Sequence, residues 1–135
     1  MSVRGHCLCG ATSWETDGQQ NWAGFCHCES CRRKCAAPVT AFLGVENGHW
    51  QWTGQVPGAY ASSDHATRYF CSTCGTTMAY ASTRFPNEIH FYGASLANPS
   101  DFAPTQHFHH DERLAWLHLT DDLKKHHSSA DGDFA

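Results

Sequence analysis

Eight cysteines stand at positions 7, 9, 26, 28, 31, 35, 71 and 74, and their spacing constrains this chain more than any other feature. They form three local clusters, Cys7-x-Cys9, Cys26-x-Cys28-x-x-Cys31 and Cys71-x-x-Cys74. Two thiolates this close in a tight turn can meet one metal ion, and structural zinc commonly takes two such pairs distant in sequence. Cys7 and Cys9 with Cys71 and Cys74 make that set. Gly10 and Gly75 follow two of the pairs, where turns need backbone angles that other residues avoid. Disulfides are the competing reading, but a bridge inside Cys-x-Cys is strained, and Met1 to Cys7 has no apolar export segment. An iron–sulfur cluster is a further alternative.

The middle cluster holds three thiolates within six residues, Cys26 to Cys31. Catalytic zinc keeps three protein ligands and one exchangeable position. Three thiolates leave the complex near one net negative charge, a weak Lewis acid matched to a soft incoming thiol rather than to water. The rival is a second closed zinc, with His27, Cys35 or a distant histidine as fourth ligand. Cys35 lies four residues after Cys31, so on a helix the two share a face.

The 135 residues favour one domain. Lys plus Arg total 9 against 13 Asp plus Glu, a net charge of -4, which gives no basic footprint for a nucleic acid. No apolar run approaches a membrane span. A reducing, cytoplasmic location is the expectation.

Many short extended segments separated by Gly and Pro turns predict a mostly β chain. Strands are expected within 3–16, broken at Cys9-Gly10, then from Trp22 to Cys28, Val39 to Val45 and His49 to Thr53. Further extended pieces are expected at 68–70, 78–81, 88–92, 105–108 and 114–119. In the alternating 88–92 segment, Ile89 and Phe91 share a face. One short helix is expected from Ser30, as N-cap, to Ala37. The domain is drawn at 1–120, with a polar, frayed tail at 121–135.

Three stretches together resemble the glutathione-dependent formaldehyde-activating enzyme family, which includes centromere protein V. They are Gly5-His6-Cys7-Leu8-Cys9-Gly10-Ala11, Cys26-His27-Cys28-Glu29-Ser30-Cys31-Arg32-Arg33 and Arg68-Tyr69-Phe70-Cys71-Ser72-Thr73-Cys74-Gly75. Pro104-Thr105-Gln106-His107-Phe108 and Trp116 echo the family's C-terminal end, so the resemblance spans residues 3–118. It implies two antiparallel sheets in a zinc-stabilised β-tent, and two Zn2+ per chain. Cys7, Cys9, Cys71 and Cys74 would hold structural zinc, and Cys26, Cys28 and Cys31 the zinc linked to activity. The implied reaction is that of a carbon–sulfur lyase, joining a small thiol such as glutathione to formaldehyde or a similar carbonyl. One departure stands out: Cys35 and Ala36 replace the small hydroxyl residue and glycine usual in the family, so Cys35 becomes a candidate fourth ligand or a reactive group.

Arg32 and Arg68 are candidates to bind a substrate carboxylate or offset the negative thiolate cluster. His107 is a candidate acid or base at the open site. His27 is expected to point away from the metal, His109-His110 and His126-His127 to be exposed, and Trp50, Trp52 and Trp116 to be core. There is no Ser–His–Asp arrangement, phosphate loop or catalytic carboxylate pair. The competing class is a non-catalytic binding module with both metals structural. The partner expected is a small-molecule thiol, with no nucleic acid and no membrane, and a homodimer is an open assembly.

Overall fold

A computed structural model describes residues 2–129 of the chain; Met1 and the last six positions of the expected tail lie outside the described residues. The strands are β1 (Val3–His6), β2 (Thr12–Thr16), β3 (Trp22–Cys26), β4 (Thr40–Glu46), β5 (Trp50–Gly54), β6 (Gly58–Ala61), β7 (Ala66–Phe70), β8 (Thr77–Ser82), β9 (Glu88–Tyr92), β10 (Gln106–Phe108) and β11 (Lys124–Lys125). One α-helix, α1 (Glu29–Cys35), follows the central cysteines. The strands form two sheets, a three-stranded one in the order β1-β2-β5 and an eight-stranded one in the order β11-β10-β3-β4-β9-β8-β7-β6. The mostly β, two-sheet expectation holds, with one refinement: β10 runs parallel to both β3 and β11.

Alternation along the strands builds the two faces of the larger sheet. In β4 and β9, Leu43 pairs with Phe91 and Val45 with Ile89, and these side chains turn towards the smaller sheet. Trp14 of β2 is fully buried there and stacks on Phe91 at 4.2 Å between ring centres. Trp50 and Trp52 of β5 meet the same Phe91 ring edge-on. Burying a large side chain of this kind stabilises a fold by about 1.5–3 kcal/mol.

The other face collects the intervening residues. Cys26 pairs with Thr40, Gly24 with Phe42, Phe42 with Tyr92, Tyr80 with His90 and Arg68 with Tyr80. Phe42 and Tyr92 pack with Cys26 and Cys31 into a second, smaller core.

Several expectations shift. The helix begins at Glu29 because the Cys28 sulfur, not Ser30, is its N-cap and accepts the Cys31 amide at 3.4 Å. Strand β6 lies between the strands expected at His49–Thr53 and 68–70, and residues 114–119 form no strand. The chain from Asp121 does not fray at once. Lys124–Lys125 pairs beside β10, and the His126 amide donates to the His107 carbonyl at 2.9 Å. Trp116, expected in the core, is 67% exposed. No helix among the described residues is long and apolar enough to cross a membrane.

Candidate metal centres

Two knuckle turns bring the first cysteine set together. After β1 the Gly10 amide donates to the Cys7 carbonyl at 3.2 Å, and after β7 the Gly75 amide donates to the Cys71 carbonyl at 2.8 Å. Both glycines take φ of +82°, the left-handed region where a side chain is strained. The sulfurs of Cys7, Cys9, Cys71 and Cys74 then lie within 4.8 Å of one another. Cys7 and Cys9 Sγ are 3.6 Å apart, and Cys9 and Cys71 Sγ are 3.8 Å apart. Zinc–sulfur bonds of about 2.3 Å in a tetrahedron place sulfurs about 3.8 Å apart. The donor set therefore fits zinc, and all eight thiols are free of disulfides. Backbone and hydroxyl donors support the thiolates. Thr12 N–H reaches Cys7 Sγ at 3.3 Å, and hydrogen bonds from the Thr76 hydroxyl and amide pull the Cys74 thiol down to about 5.

Cys26 ends β3, Cys28 caps α1 and Cys31 sits one turn into that helix. Strand end, cap and first turn converge three sulfurs within 4.8 Å of one another. Hydrogen bonds from Cys26 and Cys31 pull the Cys28 thiol down to about 2, while the same contacts push Cys26 well above its ordinary value. The first negative charge of the trio thus sits on Cys28. Three soft donors around one point again fit zinc.

Cys35 does not join them. Its half-buried thiol lies beside the Tyr92 hydroxyl and Thr77, and burial pushes its pKa up. The α1 turn from Cys31 to Cys35 ends at Ala36, which takes φ of 51° and closes the helix. The trio has no fourth protein sulfur among the described residues.

The trio instead opens onto a cavity of about 640 Å³. Cys26, Cys28, Cys31 and Arg68 line it, with aromatic walls from Trp22, Phe42, Tyr80 and Phe108. Arg68 is 4% exposed. Its Nη1 donates to Cys31 Sγ at 3.5 Å, its Nε donates to Ser62 Oγ at 3.1 Å, and the guanidinium lies 4.9 Å from the Tyr80 ring centre. Burial opposes its charge, but the charge interaction and hydrogen bond with Cys31 outweigh burial and raise its pKa. Arg68 is therefore a fixed cation against the thiolates.

Two expected site residues are placed elsewhere. Arg32 is spent on the backbone, donating from Nε to the His27 carbonyl at 3.0 Å and from Nη2 to the Glu112 carbonyl at 3.3 Å. His107 is 1% exposed but does not line the cavity. In β10 it pairs with Phe25, whereas Gln106 and Phe108, its neighbours on the opposite face, reach the cavity. The imidazole of His107 is held between His27 Nε2, at 2.8 Å from its Nδ1, and the Asp121 carboxylate, at 2.9 Å from its Nε2. The His107 hydrogen bond holds Asp121 below the usual carboxylate range, so Asp121 accepts from Nε2–H. His107 Nδ1 must then accept from His27 Nε2–H. This chain of groups, with the His27 amide on the Phe108 carbonyl at 3.1 Å, pins the residue between Cys26 and Cys28. His27 does point away from the thiolates.

Sequence reasoning missed His109. It lines the cavity, and its Nδ1 lies 3.2 Å from Glu112 Oε2. It takes φ of 52°, an uncommon backbone for a non-glycine residue that ends the alternation of β10. It adds to the influences that lower the Cys28 pKa.

The sequence matches the profile of the glutathione-dependent formaldehyde-activating enzyme family over residues 2–112. The chain belongs to this family. It is also similar to an uncharacterized lyase of Schizosaccharomyces pombe, 39% identical over 83 residues, covering 62% of this chain. The alignment takes in 60% of that relative's length. A solved Rhodobacter sphaeroides protein shares the fold, with a TM-score of 0.59 and 24% identity over 73% of this chain and 93% of that one. The family match takes in both cysteine sets, Arg68 and His109.

Proposed function

We propose that this chain is a zinc-dependent carbon–sulfur lyase that forms or breaks an adduct between a thiol, glutathione or similar, and a small carbonyl electrophile. The observation that carries this reading is the three-sulfur cluster of Cys26, Cys28 and Cys31, open to a cavity and with Arg68 against one of its sulfurs. The family membership supports the same chemistry. Zinc held by those three sulfurs would supply an exchangeable position for a soft ligand and lower the pKa of a thiol bound there.

The residues around it divide the remaining work. In the forward direction the substrate sulfur forms a bond to the carbonyl carbon, and the π pair moves onto oxygen. Arg68 presents a permanent positive charge beside the Cys31 sulfur and stabilises the negative charge as it passes to that oxygen. His109, at the cavity wall, delivers the proton that completes the hydroxyl, and in reverse it removes that proton. Glu112 orients the His109 ring. The aromatic walls lower the local polarity and so strengthen each of these charge interactions. Cys7, Cys9, Cys71 and Cys74 would hold the second zinc and tie the smaller sheet to β7.

The test is an exchange measurement by NMR between formaldehyde and glutathione, with and without protein. Acceleration above background, lost in Cys28→Ser, is the expected result. Absence of acceleration with zinc-replete protein overturns the glutathione–formaldehyde version.

A further inference from the structure

The cavity before the three thiolates is far larger than formaldehyde requires. Its volume of about 640 Å³ falls in the range that holds ligands of roughly 300–1,000 Å³ sites, molecules with several rings or chains. Four aromatic side chains gather on one of its sides, beside the thiolates. Alternation places Trp22, Phe42, Tyr80 and Phe108 on the same sheet face as Cys26 and Arg68. Trp22 and Phe108 meet edge-on at 5.1 Å, forming one wall. Phe42 lies 6.3 Å from Tyr80 and forms the other with it.

The charges at this face are mostly committed. Glu88 accepts from Trp22 Nε1 at 3.0 Å and from Asn21 Nδ2 at 3.1 Å, and His90 Nε2 lies 2.7 Å from the same carboxylate. Arg68 is held by Cys31 and Ser62. Beside polar groups such as Ser30 and His109, the lining near the sulfurs offers ring surface from Trp22, Tyr80 and Phe108.

We propose that the adduct handled here carries a planar aromatic group next to the reacting carbon or sulfur, seated between Trp22–Phe108 and Phe42–Tyr80. This rests on the lyase reading and narrows its substrate class. Ring faces and edges at 4.5–7 Å reward an aromatic guest through offset or edge-on contacts, which an aliphatic group of equal area does not gain. The reaction balances without a further reactant: the S–H proton of the thiol ends on the carbonyl oxygen, one C–S bond forms and the C=O π bond is lost. The ring can enter on either partner, as an aryl aldehyde or as an aryl-bearing thiol.

The experiment is a three-arm exchange assay by NMR on zinc-replete protein. The arms are formaldehyde with glutathione, benzaldehyde with glutathione, and formaldehyde with benzyl mercaptan, each referred to its own uncatalysed rate. The expected result is an acceleration in at least one aryl arm that exceeds the formaldehyde–glutathione arm by roughly 5- to 150-fold, the worth of two ring contacts. The arm that responds shows which partner carries the ring. Phe42→Ala and, as a half-buried variant less prone to misfold, Phe108→Leu should each lower the aryl acceleration relative to the first arm. Acceleration confined to formaldehyde with glutathione overturns the aromatic proposal and leaves the lyase reading intact. An aryl arm that matches the first arm, or variants that lower all arms equally, overturns it too. Absence of acceleration in all three arms overturns the lyase reading itself.

Discussion

Replacing Arg68 with methionine should weaken metal binding at Cys26, Cys28 and Cys31 without touching the four-cysteine site. Loading the trio spreads its negative charge from Cys28 over all three sulfurs, including the Cys31 sulfur that Arg68 touches, so a cation there favours the loaded state. Arg68 Nη1 lies 3.5 Å from Cys31 Sγ. At that distance, with an effective dielectric constant of about 20, a charge held wholly on Cys31 would interact by about 5 kcal/mol. Only about a third of the charge moves onto Cys31, and net of the charge already on Cys28 about 1 kcal/mol remains. The desolvation of the guanidinium is present whether or not the metal is bound, so it cancels from the difference. Affinity should therefore fall roughly 5-fold in Arg68→Met.

The assay is competition with a colorimetric zinc chelator, counting zinc released from each site, with near-ultraviolet circular dichroism to verify folding. Arg68→Lys keeps the charge but loses the fork that spans Cys31 and Ser62, and should lie between the two. A folded Arg68→Met protein whose weaker zinc is held as tightly as in the wild type refutes this electrostatic role.

Three further outcomes follow from the same geometry. Cys35→Ser should leave zinc stoichiometry and affinity unchanged, measured by the same competition, because the Cys35 thiol faces Tyr92 rather than the trio; loss of one zinc would make it a ligand. Cys71→Ser removes one of four donors from a site that fastens β1 to β7, and structural zinc couples about 10–16 kcal/mol to folding in small zinc domains. The near-ultraviolet circular dichroism signal should disappear, and a retained signal would remove the site from the fold's stability. For Glu88, burial alone would raise the pKa, but hydrogen bonds from His90, Trp22 and Asn21 outweigh it and hold the group at about 2 against an ordinary 4.5. Its contribution to stability is therefore complete above pH 4.5 and is lost as pH falls towards 2. Glu88→Gln should lower stability at neutral pH and flatten that part of the acid limb in urea titrations.

Strands with an alternating pattern were legible in the sequence, and those without one were not. Glu88–Tyr92 carries its burial in its own residues, Ile89 and Phe91 against His90 and Tyr92. Strand β6 is mostly exposed, and it exists because β7 offers an edge to pair with. Strand β11 is two lysines docked on β10, a partner 18 residues away in sequence at Gln106 and Lys124. The helix start was misplaced for a chemical reason: a cysteine sulfur with a depressed pKa can cap as an oxygen does, and capping preferences drawn from Ser, Thr, Asp and Asn do not anticipate it.

The cysteine sets were legible because ligand spacing is local, whereas the histidine that lines the cavity was not, because its place depends on a pairing. Within Gln106-His107-Phe108 the alternation itself is plain: positions 106 and 108 share one face, and 107 takes the other. Nothing local says which face meets the thiolates. The parallel register decides it, since Phe108 lies opposite Cys26. Cys26 must face the cavity to reach Cys28 and Cys31, so Phe108 faces it as well, and His107 is driven to the opposite side with Phe25. There it meets His27 and Asp121 and becomes part of the scaffold. His109 escapes this constraint because the left-handed turn at its own Cα breaks the alternation and returns an imidazole to the cavity wall. A single long-range pairing thus moves the candidate acid–base position by two residues, from a histidine packed behind the ligand loop to one that lines the cavity.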